Sequence, residues 1–312
     1  MKNKIVFIDT EVGIDDKRVH DAGACTFDGL KLHSGRPTDF YALVKDSEFI
    51  CGHNICHHDI QYIERWIGAK VDAKPIDTLY LSPLLFPKNP YHKLVKADKL
   101  QVAELNNPLN DSQRAMELFV DELNAFSQLS SAMKRIFCSL LYNQYEFQGF
   151  FDYADFKPYS NGIDLFIKKT FEGRICENAD IKSMVYSCPV ELAYALALIN
   201  VEDYQSLNPP WLIKTYPKIE NVIRLLKNTP CSDRCAYCRD VLDVKKGLKR
   251  IFGFNEFRTY DGEPLQEKAA EAAVDGKSLL AVFPTGGGKS ITFQLPALMA
   301  GETSHGLTVV IS

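Results

Sequence analysis

The sequence contains no long apolar run. No stretch of its 312 residues approaches the roughly 18 consecutive apolar residues of a membrane-spanning helix, and the start MKNKIVFIDTEVG passes directly into a strand pattern without a secretory signal. An excess of positive charge is also lacking, since 36 Lys and Arg residues face 40 Asp and Glu residues and the formal net charge is -4. We therefore expect a cytoplasmic protein with no membrane partner, in which any contact with nucleic acid depends on local basic patches or bound metal ions.

Disulfide bonds are not expected, although the chain has nine cysteines. Their number is odd, most of them are scattered singly, and a reducing compartment would keep them as thiols or metal ligands. With 46% hydrophobic and 24% charged residues, the composition is that of an ordinary globular protein, and the length indicates about two domains. Composition alone leaves the function open.

Three blocks of different texture follow one another along the chain. Residues 1–126 combine short β-rich runs with helical patterns, which predicts a domain of the α/β class. Residues 127–243 have apolar residues at helical spacing and include a cysteine cluster, so we expect a helical connector. Residues 244–312 contain a predicted helix, EPLQEKAAEAAVDG, and a predicted buried strand, SLLAVF, followed by a glycine-rich loop and another helix.

The glycine-rich stretch PTGGGKS fits a phosphate-binding loop. Successive glycines expose backbone N–H groups, and the N-terminus of the following helix adds positive potential. We expect Lys289 to reach the β- and γ-phosphates of ATP and Ser290 to hold Mg²⁺. The strict spacing G-x-x-x-x-G-K-[ST] is not met, because Phe283 occupies the first glycine position.

This stretch, with QLPAL after it, resembles the first motor motif of RecQ-like superfamily 2 DNA helicases. The resemblance implies the beginning of a RecA-like helicase lobe, with LTVVIS as its next strand. Upstream, Gln266 matches the glutamine that reads adenine, although FRTYDGEPLQ is longer than the usual family form. The acidic motif for ATP hydrolysis and the second motor lobe do not follow, so we expect the N-terminal part of a longer helicase, whose remainder is a partner of this chain. The residues implied to bind the nucleotide are Gln266, Thr285, Gly286, Gly287, Gly288, Lys289 and Ser290.

Acidic residues of the first block form a second candidate site. Asp9 and Glu11, in VFIDTEVG, are two apart on a predicted strand, so both carboxylates project from one face. Asp59 lies on a predicted helix, and Asp111 lies near the start of another. Like charges that meet repel one another unless cations neutralise them, which makes a pair of Mg²⁺ or Mn²⁺ ions the natural partner. Taken singly, each residue also fits a solvated strand end, a surface helix or a helix cap.

The segments FIDTEVG, GHNICHHD and NDSQRAMELF resemble, in order and spacing, the three motifs of the DEDD, or DnaQ-like, 3′-to-5′ exonuclease family. The resemblance covers residues 4–126 and implies a ribonuclease H-like exonuclease domain that hydrolyses DNA at single-stranded or 3′ ends with two metal ions. The choice between DNA and RNA stays open. The implied metal ligands are Asp9, Glu11, Asp59 and Asp111, with a supporting role for Asn54.

One departure from this family bears on activity. The commonest subclass has a general-base histidine five residues before the last aspartate, where this sequence has Asn106, and the tyrosine of the other subclass corresponds to Asn107. Loss of a positioned base costs about 10²- to 10⁴-fold in rate, and His57, His58 and His92 are substitutes by residue type only. Two functions therefore remain: a metal-dependent exonuclease, or a weak or silent nuclease-like module that binds or docks nucleic acid for the helicase.

Three closely spaced cysteines, in PCSDRCAYCRD, indicate a site for a soft metal. Cys231, Cys235 and Cys238 have the spacing C-x₃-C-x₂-C, and thiolates favour Zn²⁺ or an iron-sulfur cluster. A closed site needs a fourth ligand. We predict Cys188, which begins a predicted helix before a proline, with Cys176 as the alternative.

A short basic run follows the cysteines in DVKKGLKRIFGF. Such a run fits either a solvated helix face or a contact with nucleic-acid phosphates. Its basic residues are Lys245, Lys246, Lys249 and Arg250.

Overall fold

The computed structural model of the chain describes residues 4–89, 107–159, 161–201, 208–304 and 308–311. They belong to two units, Met1–Asn161 and Gly162–Ser312. Asn106 and His92, named above as candidates, lie outside the described residues.

A mixed sheet of five strands forms the centre of the first unit, in the order β3-β2-β1-β4-β5. β2 is antiparallel to both of its neighbours, β1 and β3, whereas β4 and β5 run parallel to β1. The α/β class expected from the sequence is confirmed. The strands are β1 (Ile5–Val12), β2 (Val19–Cys25), β3 (Lys31–Ser34), β4 (Phe49–Gly52) and β5 (Lys74–Asp77).

Helices cover both faces of this sheet because the central strand β1 is apolar on both sides. Ile8 packs on one face in a core cluster with Phe40 and Ile60, from two helices that cover that face. Phe7 points to the other face, where its ring centroid lies 5.6 Å from that of Phe119. The helices of this unit are α1 (Pro37–Val44), α2 (Asp59–Ile67), α3 (Thr78–Leu85), α4 (Pro108–Gln128), α5 (Ser131–Leu141) and α6 (Tyr145–Tyr153).

Two glycines allow helices to approach this sheet unusually closely. A Cβ added to Gly23 on β2 would lie 2.1 Å from the backbone nitrogen of Leu109, in the first turn of α4. A Cβ added to Gly149 on α6 would lie 2.1 Å from the carbonyl oxygen of Pro75 on β5. Since real atoms do not come so close, any larger residue would move the helix away from the sheet.

The packing of α6 on β5 places part of the predicted connector in the first unit. We expected the first domain to end at residue 126, whereas the unit extends to residue 161. Helical spacing of apolar residues predicts that a helix has a buried face, but it does not say which core covers that face. The division into nuclease, connector and motor by function stays a prediction.

The described part of the second unit is mainly helical. Its connector and motor segments form one unit: Nδ2 of Asn228, after α11, donates to Oγ of Ser304 at the end of α15 over 2.6 Å. No helix in the described ranges is both long and apolar enough to cross a membrane. The helices are α7 (Ile163–Thr170), α8 (Ile181–Ser187), α9 (Pro189–Asn200), α10 (Pro210–Thr215), α11 (Ile219–Lys227), α12 (Ala236–Val241), α13 (Val244–Phe252), α14 (Leu265–Val274) and α15 (Lys289–Ser304).

The predicted buried strand SLLAVF is not a strand in this structure. Leu280 and Val282 are 91% and 80% exposed, and in the later apolar segment Ile311 is 93% exposed. A buried strand needs hydrogen-bond partners for its backbone, and within the described residues no strand pairs with either segment. The apolar composition of these two segments predicts that they should be buried, but it does not identify the strand that would pair with them.

We expect Gly23→Ala to destabilise the first unit, because the new methyl group would meet the backbone of α4. Overpacking of this kind costs about 1 to 3 kcal/mol. Thermal unfolding of the full chain, followed by circular dichroism, measures the change in Tm. The control is Gly301→Ala in α15, where an added Cβ has no atom within 4 Å, and its Tm should be unchanged or slightly higher because alanine favours helix. Equal Tm values for Gly23→Ala and the wild type would contradict the close approach of α4.

Candidate metal and nucleotide sites

Three acidic side chains meet where the central strand ends. Asp9 and Glu11 project from the same face of β1, and Asp111 lies in the first turn of α4. One carboxylate oxygen from each of the three lies within 4.8 Å of the others. Divalent cations bind oxygen at about 2.0 to 2.6 Å, so oxygens on the two sides of one ion are separated by up to about 5 Å. The three carboxylates therefore fit one hard cation.

The start of α4 is built in a way that places Asp111 at this point. Asn107 caps the helix, with its Oδ1 accepting from the backbone N–H of Leu109 at 3.0 Å, and Pro108 follows at the first helical position. Asn107, at the position of the tyrosine in one exonuclease subclass, is thus a helix cap. One turn after Asp111, the guanidinium of Arg114 donates to Asp111 Oδ1 over 3.2 Å, which offsets part of the negative charge.

Asp59 lies beside this group and contacts the strand from its other face. Its Oδ1 accepts from the backbone N–H of Thr10 at 3.1 Å and from the Thr10 hydroxyl at 2.6 Å. Thr10 stands between Asp9 and Glu11, and alternation along β1 turns its side chain away from theirs. The sequence predicted one group of four carboxylates; the structure brings three together and holds the fourth, which is 3% exposed, through Thr10. The difference arises because α2 covers the opposite face of the sheet.

The turn that precedes α2 is organised by a buried carboxylate, Asp77. Its Oδ1 accepts from the backbone N–H of Asn54 at 2.9 Å, and its Oδ2 accepts from that of Cys56 at 3.0 Å. Burial raises the pKa of Asp77 to about 6, against the effect of these backbone hydrogen bonds. Asn54 has a left-handed backbone, with φ 68. Its backbone therefore shapes the turn that leads to Asp59.

Two adjacent histidines of the second acidic motif have different neighbours. Nε2 of His57 lies 2.9 Å from Oε1 of Glu146 on α6. Nδ1 of His58 lies 3.7 Å from Oδ2 of Asp59. Hydrogen bonding to Asp59 and the nearby charge of Glu11 raise the pKa of His58. His58 therefore contacts the acidic region through Asp59, while His57 contacts Glu146 on α6.

The cysteines of the second unit form a group of four in which Cys176 takes the fourth place. One sulfur from each of Cys176, Cys231, Cys235 and Cys238 lies within 4.8 Å of the others. Cys188, predicted as the fourth ligand, is not in this group and instead accepts a hydrogen bond from Ser187 at 3.7 Å. The position of Cys188 before Pro189 at the start of α9 is a local feature, and it does not determine which cysteines are close to it in the folded chain. The alternative, Cys176, follows α7 and reaches the cluster through the tertiary fold.

The thiols of this group have unequal acidities. Burial alone would raise the pKa of Cys231, but hydrogen bonds from the backbone N–H of Cys235 and from Asn178 lower it to about 6. Burial raises the pKa of Cys176 to about 11 and also raises that of Cys238. Cys231 is therefore the most acidic of these three thiols.

The glycine loop precedes α15 directly, as the sequence predicts. Gly286 and Gly288 have left-handed backbones, with φ 76 and 67, which favour glycine. The helix begins at Lys289, so the side chains of Lys289 and Ser290, both exposed, lie at its N-terminus. Thr285 and Gly286 are also exposed, whereas Gly287 is buried.

Three side chains from the preceding segment hold this loop by its carbonyl groups. Arg258 donates to the carbonyl oxygen of Gly286 at 3.2 Å, and the Tyr260 hydroxyl donates to that of Gly287. Gln266 donates through Nε2 to the carbonyl oxygen of Gly288 at 2.9 Å, while its Oε1 accepts from the backbone N–H of Arg258 at 2.9 Å. Both ends of the Gln266 amide are thus bonded to the main chain, and the residue is 2% exposed. In this conformation Gln266 supports the loop, whereas the resemblance implied contact with adenine.

Tyr260 is a residue that the sequence reasoning did not select. Its ring centroid lies 5.2 Å from that of Phe283, which stands at the first glycine position of the strict motif. The signal that could have found it is the extra length of FRTYDGEPLQ, which lies just before the motif in the sequence.

The basic run on α13 is largely neutralised within its own unit. Lys245 pairs with Glu267 at 2.9 Å, Lys246 with Asp240 at 2.7 Å, and Arg250 with Glu302 at 2.9 Å. Of the two interpretations of this run, these ion pairs favour a helix face that contacts neighbouring residues. They count against a patch that binds nucleic-acid phosphates.

Comparison with protein families gives a match to the DEAD/DEAH box helicase family over residues 263–312. This segment contains Gln266, the glycine loop and α15. No solved structure matches the chain.

Individual relatives agree with this family match. The chain is 46% identical to ATP-dependent DNA helicase Q5 of Rattus norvegicus over 70 residues, which are 22% of this chain and 6% of that protein. It is 44% identical to ATP-dependent DNA helicase RecQ of Synechocystis sp. over 73 residues, which are 23% of this chain and 13% of that protein. It is 42% identical to ATP-dependent helicase SGS1 of Saccharomyces cerevisiae over 70 residues, 22% of this chain and 4% of that protein.

The chain therefore spans only between 4% and 13% of the length of these curated relatives. The C-terminal region of the chain is similar to DEAD/DEAH box helicases and to RecQ-family DNA helicases.

Proposed function

We propose that this chain is a metal-dependent 3′-to-5′ exonuclease that acts on DNA ends and is joined to the beginning of an ATP-dependent, RecQ-like helicase motor. The observation that carries the proposal is the meeting of Asp9, Glu11 and Asp111 from two elements that are distant in sequence. A group of three carboxylates is unfavourable unless cations neutralise its charge. Binding of Mg²⁺ or Mn²⁺ would therefore explain why the three carboxylates lie together. The resemblance of the three motifs to DEDD exonucleases supports phosphodiester hydrolysis as the reaction.

The residues of the first unit would prepare this site for phosphodiester hydrolysis. A bound ion acidifies water for the attack and stabilises negative charge on the phosphate. Asp9 and Glu11 lie on the central strand and Asp111 in a capped first turn, so the elements that bear the ligands are fixed by the fold. The hydrogen bonds that Thr10 donates to Asp59 hold the strand between the two ligands, and Asp59 is the candidate for contact with a second ion. Arg114 supplies positive charge beside the anionic substrate.

The second unit would contribute ATP binding. Backbone N–H groups of the glycine loop and of the first turn of α15 are suited to phosphate groups, with Lys289 and Ser290 in the positions that contact phosphate and Mg²⁺ in such loops. The similarity of this region to RecQ helicases supports the assignment. In a complete motor, unwinding would deliver a single strand to the nuclease, whose groove would bind its backbone and bases.

A second function is a nuclease-like module that binds nucleic acid without cleaving it. The observation that favours it is the ion pair of Arg114 with Asp111, because a guanidinium partly replaces the charge of a metal ion there. The asparagine at position 106, in place of the usual general base, points in the same direction. Against it, a silent module has no need to keep Asp9, Glu11 and Asp111 together.

We expect Asp9→Ala to lower exonuclease activity by about 10²-fold or more, because a catalytic ion contributes several kcal/mol to the transition state. The assay follows shortening of 5′-labelled single-stranded DNA by the full chain in Mn²⁺. The matched control is Asp121→Ala, which removes an exposed carboxylate from α4 outside the site and should retain wild-type activity. Equal retention of intact DNA by wild type and Asp9→Ala would favour the binding module. Equal cleavage by both would place the activity elsewhere.

We expect Lys289→Ala to weaken binding of a fluorescent ATP analogue by about tenfold or more, since a charge-assisted hydrogen bond contributes roughly 1.5 to 3 kcal/mol. Titration of the full chain, monitored by fluorescence anisotropy, gives the Kd. Lys268→Ala, on the exposed side of α14, is the control and should bind as the wild type does. Exonuclease activity should be nearly unchanged in Lys289→Ala. Loss of DNA cleavage in this variant would refute the separation of the two functions.

A further inference from the structure

The four clustered thiols of the second unit lie outside both sites considered above. We propose that Cys176, Cys231, Cys235 and Cys238 form a closed structural site for a single zinc ion. The proposal is independent of nuclease activity and of ATP binding. It follows from the distances between the sulfur atoms, from their hydrogen-bond partners and from the segments that they join.

The distances between sulfur atoms match the edges of one coordination tetrahedron. Zinc binds thiolate sulfur at about 2.3 Å, so two sulfurs on a tetrahedral ion are about 3.8 Å apart. The sulfur of Cys238 lies 3.5 Å from that of Cys235, 3.7 Å from that of Cys176 and 3.8 Å from that of Cys231. The sulfurs of Cys176 and Cys235 are 3.9 Å apart. Four of the six edges of such a tetrahedron thus have the expected length, and all four sulfurs lie within 4.8 Å of one another, as ligands of a single ion must.

The same distances favour one ion over an iron-sulfur cluster. In a cluster the cysteines bind several iron atoms that are themselves bridged by sulfide, which separates the thiolates more widely than one tetrahedron does. Four thiolates around one tetrahedral centre are typical of structural zinc. The site is also closed, since Cys176, Cys235 and Cys238 are buried and Cys231 is partly buried. A closed site leaves no position for substrate.

The local backbone supports the sulfur of Cys231 in the way that zinc sites commonly do. The backbone N–H of Cys235 donates to this sulfur at 3.2 Å, and Nδ2 of Asn178 donates to it at 3.4 Å. Hydrogen bonds of this kind orient a ligand and stabilise its thiolate. Arg234 between the two cysteines has a left-handed backbone, with φ 46, which closes the tight turn.

An ion at this place would join the segment of Cys176 to that of Cys231, Cys235 and Cys238, and both segments also contact neighbouring parts of the second unit. The backbone N–H of Cys176, after α7, donates to the carbonyl oxygen of Leu226 at 2.8 Å, and the Tyr237 hydroxyl donates to that of Lys227 at 3.0 Å. Both contacts lie at the end of α11. Arg234 in turn donates to Asp275, which follows α14, over 2.8 Å. Since α12 has only six residues and so short a helix is not stable alone, the ion would supply the constraint that local structure lacks.

The test compares Cys176→Ser with Cys188→Ser, since both residues are buried cysteines of the same unit and only Cys176 belongs to the group. Elemental analysis of the purified full chain, after exhaustive dialysis, should give one zinc per chain for the wild type and for Cys188→Ser. For Cys176→Ser we expect at least a tenfold weaker affinity in a competition titration with a zinc chelator. Folded wild-type protein that retains no zinc after supplementation would overturn the proposal, as would iron with sulfide, or equal zinc loss in both variants.

A second measurement on the wild type keeps the test decisive if Cys176→Ser does not fold. Alkylation by iodoacetamide, mapped by mass spectrometry, should be suppressed at Cys231 in the zinc-loaded protein and should rise at least tenfold after chelation. Cys56 lies outside the group and burial raises the pKa of its thiol, so its alkylation should stay low in both states. Equal alkylation of Cys231 with and without zinc would contradict a metal site.

Discussion

The close packing of α4 against the central sheet is the constraint on which the candidate active site depends. Phe119 from this helix meets Phe7 on β1, and the first turn of the helix contacts β2 at Gly23, where no side chain intervenes. Asp9 and Glu11 would be two acids at a strand end without this contact. With it, Asp111 joins them, and the three oxygens come within reach of one cation. The site is therefore a product of packing between apolar surfaces.

Two acidic residues of α4, Glu122 and Asp111, lie in opposite environments. Glu122 is fully buried, and burial raises its pKa well above the usual range; its Oε1 accepts from the Ser82 hydroxyl at 2.8 Å. Asp111 instead lies at the edge of the sheet, where two further carboxylates and Arg114 are its neighbours. A carboxyl group in an apolar core avoids charge by binding a proton, whereas a cluster of carboxylates at a surface can avoid repulsion by binding a metal ion.

In the second unit, hydrogen bonds and sulfur contacts add to apolar packing at two places, the glycine loop and the group of four cysteines. The glycine loop is held by its carbonyl groups through Arg258, Tyr260 and Gln266. The four clustered thiols lie on and around α12, which has only six residues and is too short to be stable by itself. In both places short polar or sulfur contacts define the geometry. The apolar segments at Leu280 and Ile311, in contrast, are exposed among the described residues.

Local features of this protein follow from its amino-acid order alone, whereas the meeting of distant groups follows from the tertiary fold. Strand alternation placed Asp9 and Glu11 on one face, and successive glycines marked the loop before α15, because each feature depends on neighbouring residues only. The tertiary fold, in turn, places Cys176 and not Cys188 beside the other three cysteines, and it brings Asp59 into hydrogen bonds with Thr10. It also engaged both ends of the Gln266 amide and packed α6 on the first sheet. Apolar spacing shows that a face will be buried, but the partner and its approach are set by the shapes of both surfaces.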